Sequence, residues 1–400
     1  MDSSRMPVIV SATRTPIGRY LGALSPLTAP QLGGIVIREA VRRAGVDPAE
    51  LNEVIMGNVL QGGVGQAPAR QAMLAGGIPA SVSAVTVNKV CGSGLKAVML
   101  AAQAVRAGDA QLLVAGGMES MSNAPHYLYG YRGGIKLGDQ TLVDGMIRDG
   151  LWCPTCNVHM GSHAEYTAKK ADVARQRQDE FAAASHSKAV AAQAEGKFTT
   201  EIIPVAVPGK KATTMVDTDE GPRRDTTVES LASLKPAFGS KGATDLSVTA
   251  GNASSLNDGA AAVVVTSQAF AQERGLPVLA RIDAYATGAV EPQDLFFAPV
   301  RAVVTLMRKE GTTIGDYDLI EANEAFASQA LADGDVLGWP WERVNVHGGA
   351  IALGHPIGAS GARVLVTLLH AMADRGARRG LATLCLGGGD AVAMSVTRAP

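Results

Sequence analysis

Val87-Asn88-Lys89-Val90-Cys91-Gly92-Ser93-Gly94-Leu95-Lys96 is the stretch that decides how this chain is organised. A β-branched run, Val85-Thr86-Val87, stops there, and a helical pattern from Ser93 to Ala107 starts at once. Gly108-Asp109 ends that helix, and Leu112-Leu113-Val114-Ala115 reads as the next strand, ending in Gly116-Gly117. Strand, helix and strand in this order imply a largely parallel sheet. The same order recurs near the C-terminus. Val344-Asn345-Val346 reads as a strand, Ser360 to Arg375 as a helix closed by Gly376, and Ala382-Thr383-Leu384-Cys385 as a strand running into Gly387-Gly388-Gly389. Ser360-Gly361-Ala362-Arg363 answers Ser93-Gly94-Leu95-Lys96, so the chain reads as an internal duplication with pseudo-two-fold halves.

Outward from this stretch, Val8-Ile9-Val10 reads as a buried strand, Gln31 to Ala44 as an amphipathic helix stopped by Gly45, and Val54-Ile55-Met56 as strand again. Between the halves, over roughly Ser122 to Ala250, the pattern changes to loops, a helix from Gln178 to Glu195, and polar stretches such as Pro208 to Asp225. The expected division is a first half over 1–121 completed by about 251–270, an inserted lobe with substrate contacts over 122–250, and a second half over 271–400.

Composition narrows the function. A chain of 400 residues exceeds one ordinary core. Lys plus Arg is 36 against 37 Asp plus Glu, a formal charge of −1, which removes the electrostatic case for nucleic acid or a membrane surface as partner. Hydrophobic residues at 46% against 18% charged predict large buried faces and self-association. Four cysteines are too few for a disulfide scaffold, the start lacks an apolar leader, no apolar run spans a bilayer, and Arg398-Ala399-Pro400 is no peroxisomal address. The expected compartment is the cytoplasm. Phosphate-loop, GxSxG and dinucleotide signatures are lacking from the sequence.

Chemistry concentrates at four residues. Cys91 stands at a helix N-terminus, where unpaired N–H groups and the dipole favour a thiolate and lower its pKa. A single free cysteine is more often a small buried filler. The duplicated partner changes that balance: His355 precedes the equivalent helix in Gly354-His355-Pro356, and Cys385 ends the equivalent strand. A thiol, a base for its proton and a second thiol for another proton suit acyl transfer through a thioester. Asn323, in Glu321-Ala322-Asn323-Glu324-Ala325-Phe326, reads either as an amide orienting a water or an oxyanion, or as a helix N-cap.

This combination resembles the thiolase family, from about Val8 to Val396. The likeness is carried by Asn88-Lys89-Val90-Cys91-Gly92-Ser93-Gly94, Gly116-Gly117-Met118-Glu119-Ser120-Met121-Ser122, Gly251-Asn252-Ala253-Ser254, Asn323-Glu324-Ala325-Phe326, Gly354-His355-Pro356 and Cys385-Leu386-Gly387-Gly388-Gly389. The resemblance implies an α/β thiolase fold, two βαβαβαββ halves in five layers with an inserted loop domain. It implies the acetyl-CoA acetyltransferase reaction, a reversible ping-pong Claisen condensation of two acetyl-CoA to acetoacetyl-CoA and CoA. The alternative is a broader degradative 3-oxoacyl-CoA thiolase. By the same resemblance Cys91 takes the acyl group, His355 activates it, and Cys385 moves the α-proton of the second acetyl-CoA. His355 and an Asn323-held water would face the enolate oxygen, and the Cys91 and Gly387 N–H groups the acyl oxygen. CoA contacts carry over to Leu151, His159, Met160, Arg223, Ala250, Ser254, Ala325 and Phe326. No cofactor is implied, because CoA is substrate and product, and the assembly implied is a homotetramer with Gly130 to Leu137 as its tetramerisation loop.

Three departures stand out. Leu295-Phe296-Phe297-Ala298-Pro299 replaces small residues near the acyl pocket, so Phe296 or Phe297 is expected to favour short chains. Asp390 follows the glycines, where a carboxylate near the thiols would raise their pKa or else face solvent. Cys153-Pro154-Thr155-Cys156 precedes His159 and His163, yet the gap from Cys156 to His159 is short for a zinc finger, so the pair reads as structural or incidental and no metal ligands are expected.

Overall fold

The computed structural model describes residues 3–239 and 244–399. Met1, Asp2 and Pro400, which enter the leader and address readings, lie outside them, as does 240–243 of the inserted lobe. Nine strands form the path of one sheet: β1 (Pro7–Arg14), β2 (Glu53–Gly57), β3 (Ser83–Val87), β4 (Leu112–Ser120), β5 (Asn257–Ser267), β6 (Ala280–Ala289), β7 (Leu319–Ala322), β8 (Arg379–Leu386) and β9 (Asp390–Arg398). Their spatial order is β7-β8-β9-β6-β1-β5-β4-β2-β3, with the short Gly18–Arg19 segment added against β5. Within the first half β2 pairs parallel with β3 and β4, and β5 returns antiparallel between β4 and β1. The second half repeats this: β7 pairs parallel with β8, and β9 returns antiparallel between β8 and β6. The halves join where Val8 and Ile9 meet Arg281 and Ala280.

Helices α1 (Ala29–Ala44) and α2 (Pro68–Ala75) cover the outer face of the first half. Thr28 caps α1 reciprocally with Gln31, and Gly45 ends it in the left-handed region at φ 69°. Helix α3 (Ser93–Ala107) and the equivalent C-terminal helix (Ile357–Arg375) lie together between the two halves and share one apolar core with both. Their glycines make that contact reciprocal. A Cβ on Gly94 would press on the backbone of Ala362, and one on Gly361 on the backbone of Leu95. The repeated Ser-Gly pair therefore packs the two helix starts backbone to backbone, which draws both catalytic-end loops to one place. The helix Ala298–Glu310 covers the outer face of the second half.

Two expectations at strand level need correction. β4 does not stop at Gly116-Gly117 but runs to Ser120. A Cβ on Gly117 would overlap the carbonyl oxygen of Gly358 and one on Gly116 that of Ala261 in β5, so Gly117 serves close approach of the C-terminal helix and Gly116 that of the neighbouring strand, and neither makes a turn. Val344-Asn345-Val346 is not a strand; only Val344 bridges Ile320. Asn345 sits at φ 46°, outside the extended region, and its side chain replaces the missing ladder. The amide accepts from Ala322 N–H at 2.8 Å and donates to Ala322 carbonyl at 2.8 Å.

Residues 122–250 contain the helices Met160–Lys170 and Arg175–Ala194, and a buried ion network fastens this stretch to β1. Arg14 donates to Glu201 at 2.6 Å and to Asp219 at 2.7 and 2.9 Å. Near the start of the lobe, the exposed segment around Gly130 to Leu137 presents Tyr129, Tyr131, Ile135 and Leu137 to solvent. Among the described residues no helix is long and apolar enough to cross a membrane.

Candidate active site

A cavity of about 420 Å³ is lined by twelve of the thirteen catalytic and CoA-contact residues that the resemblance implies. Cys91, His355, Cys385 and Gly387 come from the two halves. Leu151, His159, Met160, Arg223 and Ala250 come from the stretch 122–250, Ser254 from just before β5, and Ala325 and Phe326 from between β7 and the helix Ala327–Leu337. Asn323, the thirteenth, lies behind this surface, fully buried, with its Nδ2 3.5 Å from His355 Nδ1. It is not a helix N-cap, because the helix Ala327–Leu337 begins after Phe326.

The His355 ring is held in one tautomer. Ser360 Oγ donates to the Pro356 carbonyl at 2.9 Å, so its remaining role toward His355 Nδ1, 2.6 Å away, is acceptor. Nδ1 therefore carries the proton and Nε2 the lone pair. His355 Nε2 is buried without a protein hydrogen-bond partner among the described residues, as is Asn323 Oδ1. The His355 backbone N–H donates to Asn257 at 2.8 Å, which fixes the loop itself. Burial holds the imidazole down at about 3, with the Arg363 charge adding to the effect.

The thiols contradict the expectation drawn from the helix terminus. Burial pushes Cys91 up to about 12, and the Glu119 charge adds to this, while the Gly387 and Cys91 N–H groups pull the other way. Desolvation outweighs the helix terminus because Cys91 lines a mostly apolar cavity. Cys385 is raised well above its ordinary value, chiefly by burial and then by Cys91 and Asp333. Asp390 is not among these causes, since it forms an ion pair with Lys89 and neither perturbs the thiols nor stands free.

Glu119 is the structural hinge of the site and was quoted above only as part of a motif. Its carboxylate accepts from Val59, Leu60 and Gly358 N–H at 3.1, 3.2 and 2.9 Å and from Asn58 Nδ2 at 2.7 Å. One side chain thus clamps the start of the C-terminal helix onto the first half.

Phe296, and not Phe297, faces the cavity: it is 2% exposed and meets Phe326 edge-on at 5.3 Å. Phe297 lies instead beneath Lys170, 5.4 Å from its ring centre. Sequence reasoning missed Phe238, which stacks on His159 at 5.3 Å and 11° and lines the cavity. Its signal was weak: one aromatic ring in an otherwise polar loop of a chain with 4% aromatics.

Comparison with known proteins gives the family. The family description "Thiolase, N-terminal domain" matches residues 7–269, and "Thiolase, C-terminal domain" matches 276–398. The chain belongs to the thiolase family. It is 56% identical over 392 residues to an acetyl-CoA acetyltransferase of Pseudomonas aeruginosa, covering 98% of this chain and 99% of that one. It is 55% identical over 392 residues to an acetyl-CoA acetyltransferase of Cupriavidus necator, with the same coverage. The crystal structure of the Bacillus anthracis acetyl-CoA acetyltransferase superposes with a TM-score of 0.97 at 40% identity, covering 100% of both chains. The thiolase fold expected from the sequence is the fold observed.

Proposed function

We propose that this chain is an acetyl-CoA C-acetyltransferase, which joins two acetyl-CoA molecules reversibly into acetoacetyl-CoA and CoA. The observation that carries the reading is that Cys91, His355, Cys385 and Gly387 line one mostly apolar cavity, with the Gly387 N–H directed at the Cys91 sulfur. Full-length relatives bearing the acetyl-CoA acetyltransferase name support it.

In the free site thiol and imidazole are both neutral, so the Cys91 proton passes to His355 Nε2 as sulfur attacks the thioester carbonyl and charge moves to the acyl oxygen. The Cys91 and Gly387 N–H groups receive that oxyanion. Collapse expels CoA thiolate, which takes a proton from Cys385 and leaves as CoA. The new Cys385 thiolate is a strong base for the reason its thiol is a weak acid: burial disfavours its charge. It removes the α-proton of a second acetyl-CoA, and imidazolium His355, with a water held by Asn323, donates to the enolate oxygen. The α-carbon attacks the acetyl group on Cys91. Release of acetoacetyl-CoA returns the Cys91 sulfur as thiolate, which recovers its proton from His355. Both thiols and the imidazole end as they began, with no bound cofactor. CoA would lie along Leu151, His159 and Met160, with Ser254 near the pantetheine and Arg223 near the nucleotide.

The exposed apolar segment at Tyr129 to Leu137 supports a homotetramer, and the need for two reduced thiols supports a cytoplasmic setting. The test is incubation with acetyl-CoA and peptide mapping by mass spectrometry, with thiolysis of acetoacetyl-CoA and longer 3-oxoacyl-CoAs in parallel. One acetyl group on Cys91, absent in Cys91→Ala, and turnover confined to short chains is the expected result. Equal turnover of long chains would move the protein to the broad degradative thiolases, and no acetylation would refute the transferase reading.

A further inference from the structure

The segment Cys153-Pro154-Thr155-Cys156 forms the turn of a small hairpin in which Trp152 pairs with His159 and Cys153 with Val158. Cys156 N–H folds back onto Cys153 Sγ at 3.3 Å, which presents both sulfurs on one side of the turn. His159 does not join them; its Nδ1 accepts from Gly161 N–H at 3.0 Å and caps the following helix. His163, one turn into that helix, does: both thiol sulfurs and a ring nitrogen of His163 lie within 4.8 Å of one another.

The orientation of His163 is the second, independent observation. The residue is 2% exposed, and its Nδ1 lies 3.3 Å from the Gln293 carbonyl. A carbonyl only accepts, so Nδ1 holds the proton and Nε2 keeps a lone pair. That Nε2 is buried with no protein hydrogen-bond partner among the described residues. An unpaired buried acceptor costs about 1–3 kcal/mol, whereas a metal ion would use it. A histidine whose other nitrogen is fixed by a backbone carbonyl is the usual outer arrangement around a bound metal.

We propose that Cys153, Cys156 and His163 bind one soft divalent cation, zinc being the best match to two thiolates and an imidazole. The spacing is C-x2-C-x6-H, which becomes sensible once His163 replaces His159 as the ligand. In a tetrahedral zinc site ligand atoms lie roughly 3.5–3.8 Å apart, so closure from within 4.8 Å needs an approach of at most about 1.3 Å between any two of them. Each coordinating thiol gives its proton to solvent, and the fourth position goes to a water or an added ligand. The site does not touch the reacting atoms. It joins the hairpin that carries Leu151 and His159 to the Gln293 turn, from which Phe296 projects into the cavity, so the bound ion is a positioning element of the pocket wall.

The experiment uses the intact chain under reducing conditions. Zinc is titrated against a chromogenic chelator, and cobalt(II) serves as a spectroscopic probe of thiolate coordination. The expected result is one ion per chain with a thiolate-to-cobalt charge-transfer band. Cys156→Ser, at the half-exposed turn, and His163→Gln should each weaken binding by tenfold or more, while Cys91→Ala binds as tightly as the parent chain. Chelation should lower the melting temperature of the parent chain and leave that of Cys156→Ser unmoved. Fully reduced protein that takes up no stoichiometric metal, including protein isolated with a Cys153–Cys156 disulfide and then reduced, overturns the proposal. Uptake that neither ligand variant weakens overturns it as well.

Discussion

Cys91 should behave in the free protein as a neutral thiol and not as half of a preformed thiolate–imidazolium pair. Its pKa of about 12, against a His355 value of about 3, leaves both groups neutral across the working range. At pH 8 a thiol with that value is ionised to about one part in 10⁴, whereas an unperturbed thiol near 8.5 is about one quarter ionised. The perturbation is therefore pH alone, with iodoacetamide as reagent and no acetyl-CoA present. Modification of the peptide containing Cys91 is followed by mass spectrometry between about pH 6.5 and 9.5, which separates it from Cys153 and Cys156. The rate constant should rise about tenfold per pH unit with no plateau, since only thiolate reacts. Acetylation by acetyl-CoA should not share that slope, because there His355 takes the proton as the bond forms. A plateau in alkylation beginning below about pH 8 would refute the reasoning, and the helix terminus would then outweigh burial.

Other outcomes follow from single contacts. Ser360→Ala removes the acceptor 2.6 Å from His355 Nδ1 and frees the wrong tautomer; the loss of about 1–1.5 kcal/mol should lower kcat about tenfold with little change in KM. Phe296→Ala should admit longer acyl chains. If two extra methylenes become buried at about 0.8 kcal/mol each, kcat/KM for 3-oxohexanoyl-CoA should rise about 15-fold relative to acetoacetyl-CoA, and an unchanged ratio would show that the ring does not set chain length. Gly117→Ala forces a Cβ onto the Gly358 carbonyl and should abolish activity or soluble expression, whereas Gly133→Ala, with open space around it, should match the parent chain in both assays.

The sequence was most legible where a local pattern and the tertiary contact ask for the same residue. Ser93-Gly94 and Ser360-Gly361 reveal the duplication because the two helices touch at those very glycines, so the repeat is visible as motif and as contact. Cys91, His355 and Cys385 were legible for the same reason: each ends or starts an element whose duplicated counterpart brings the others near. Reading failed where a residue served a partner distant in the chain. Gly116-Gly117 looks like a strand terminator, yet the strand runs on, and Gly117 is where the C-terminal helix rests. Val344-Asn345-Val346 has strand composition, yet Asn345 turns into the left-handed region and pairs through its side chain.

The thiol shift and the cysteine–histidine cluster expose a deeper limit. Charge effects near a helix terminus are typically worth 0.3–1 kcal/mol, up to about 2 in favourable partly buried sites, while burial of an ionisable group shifts pKa by up to 3–5 units, each unit about 1.36 kcal/mol. The first is readable from position in a helix and the second is not, so a sequence argument for a lowered Cys91 pKa rests on the weaker of two opposed effects. The same asymmetry governs Cys153, Cys156 and His163. Spacing counts residues along the chain, but a ligand set is chosen by which lone pairs are free, and it is the Gln293 carbonyl, 130 positions away, that takes the His163 Nδ1 proton and leaves Nε2 buried without a partner, on a ring that lies beside the sulfurs.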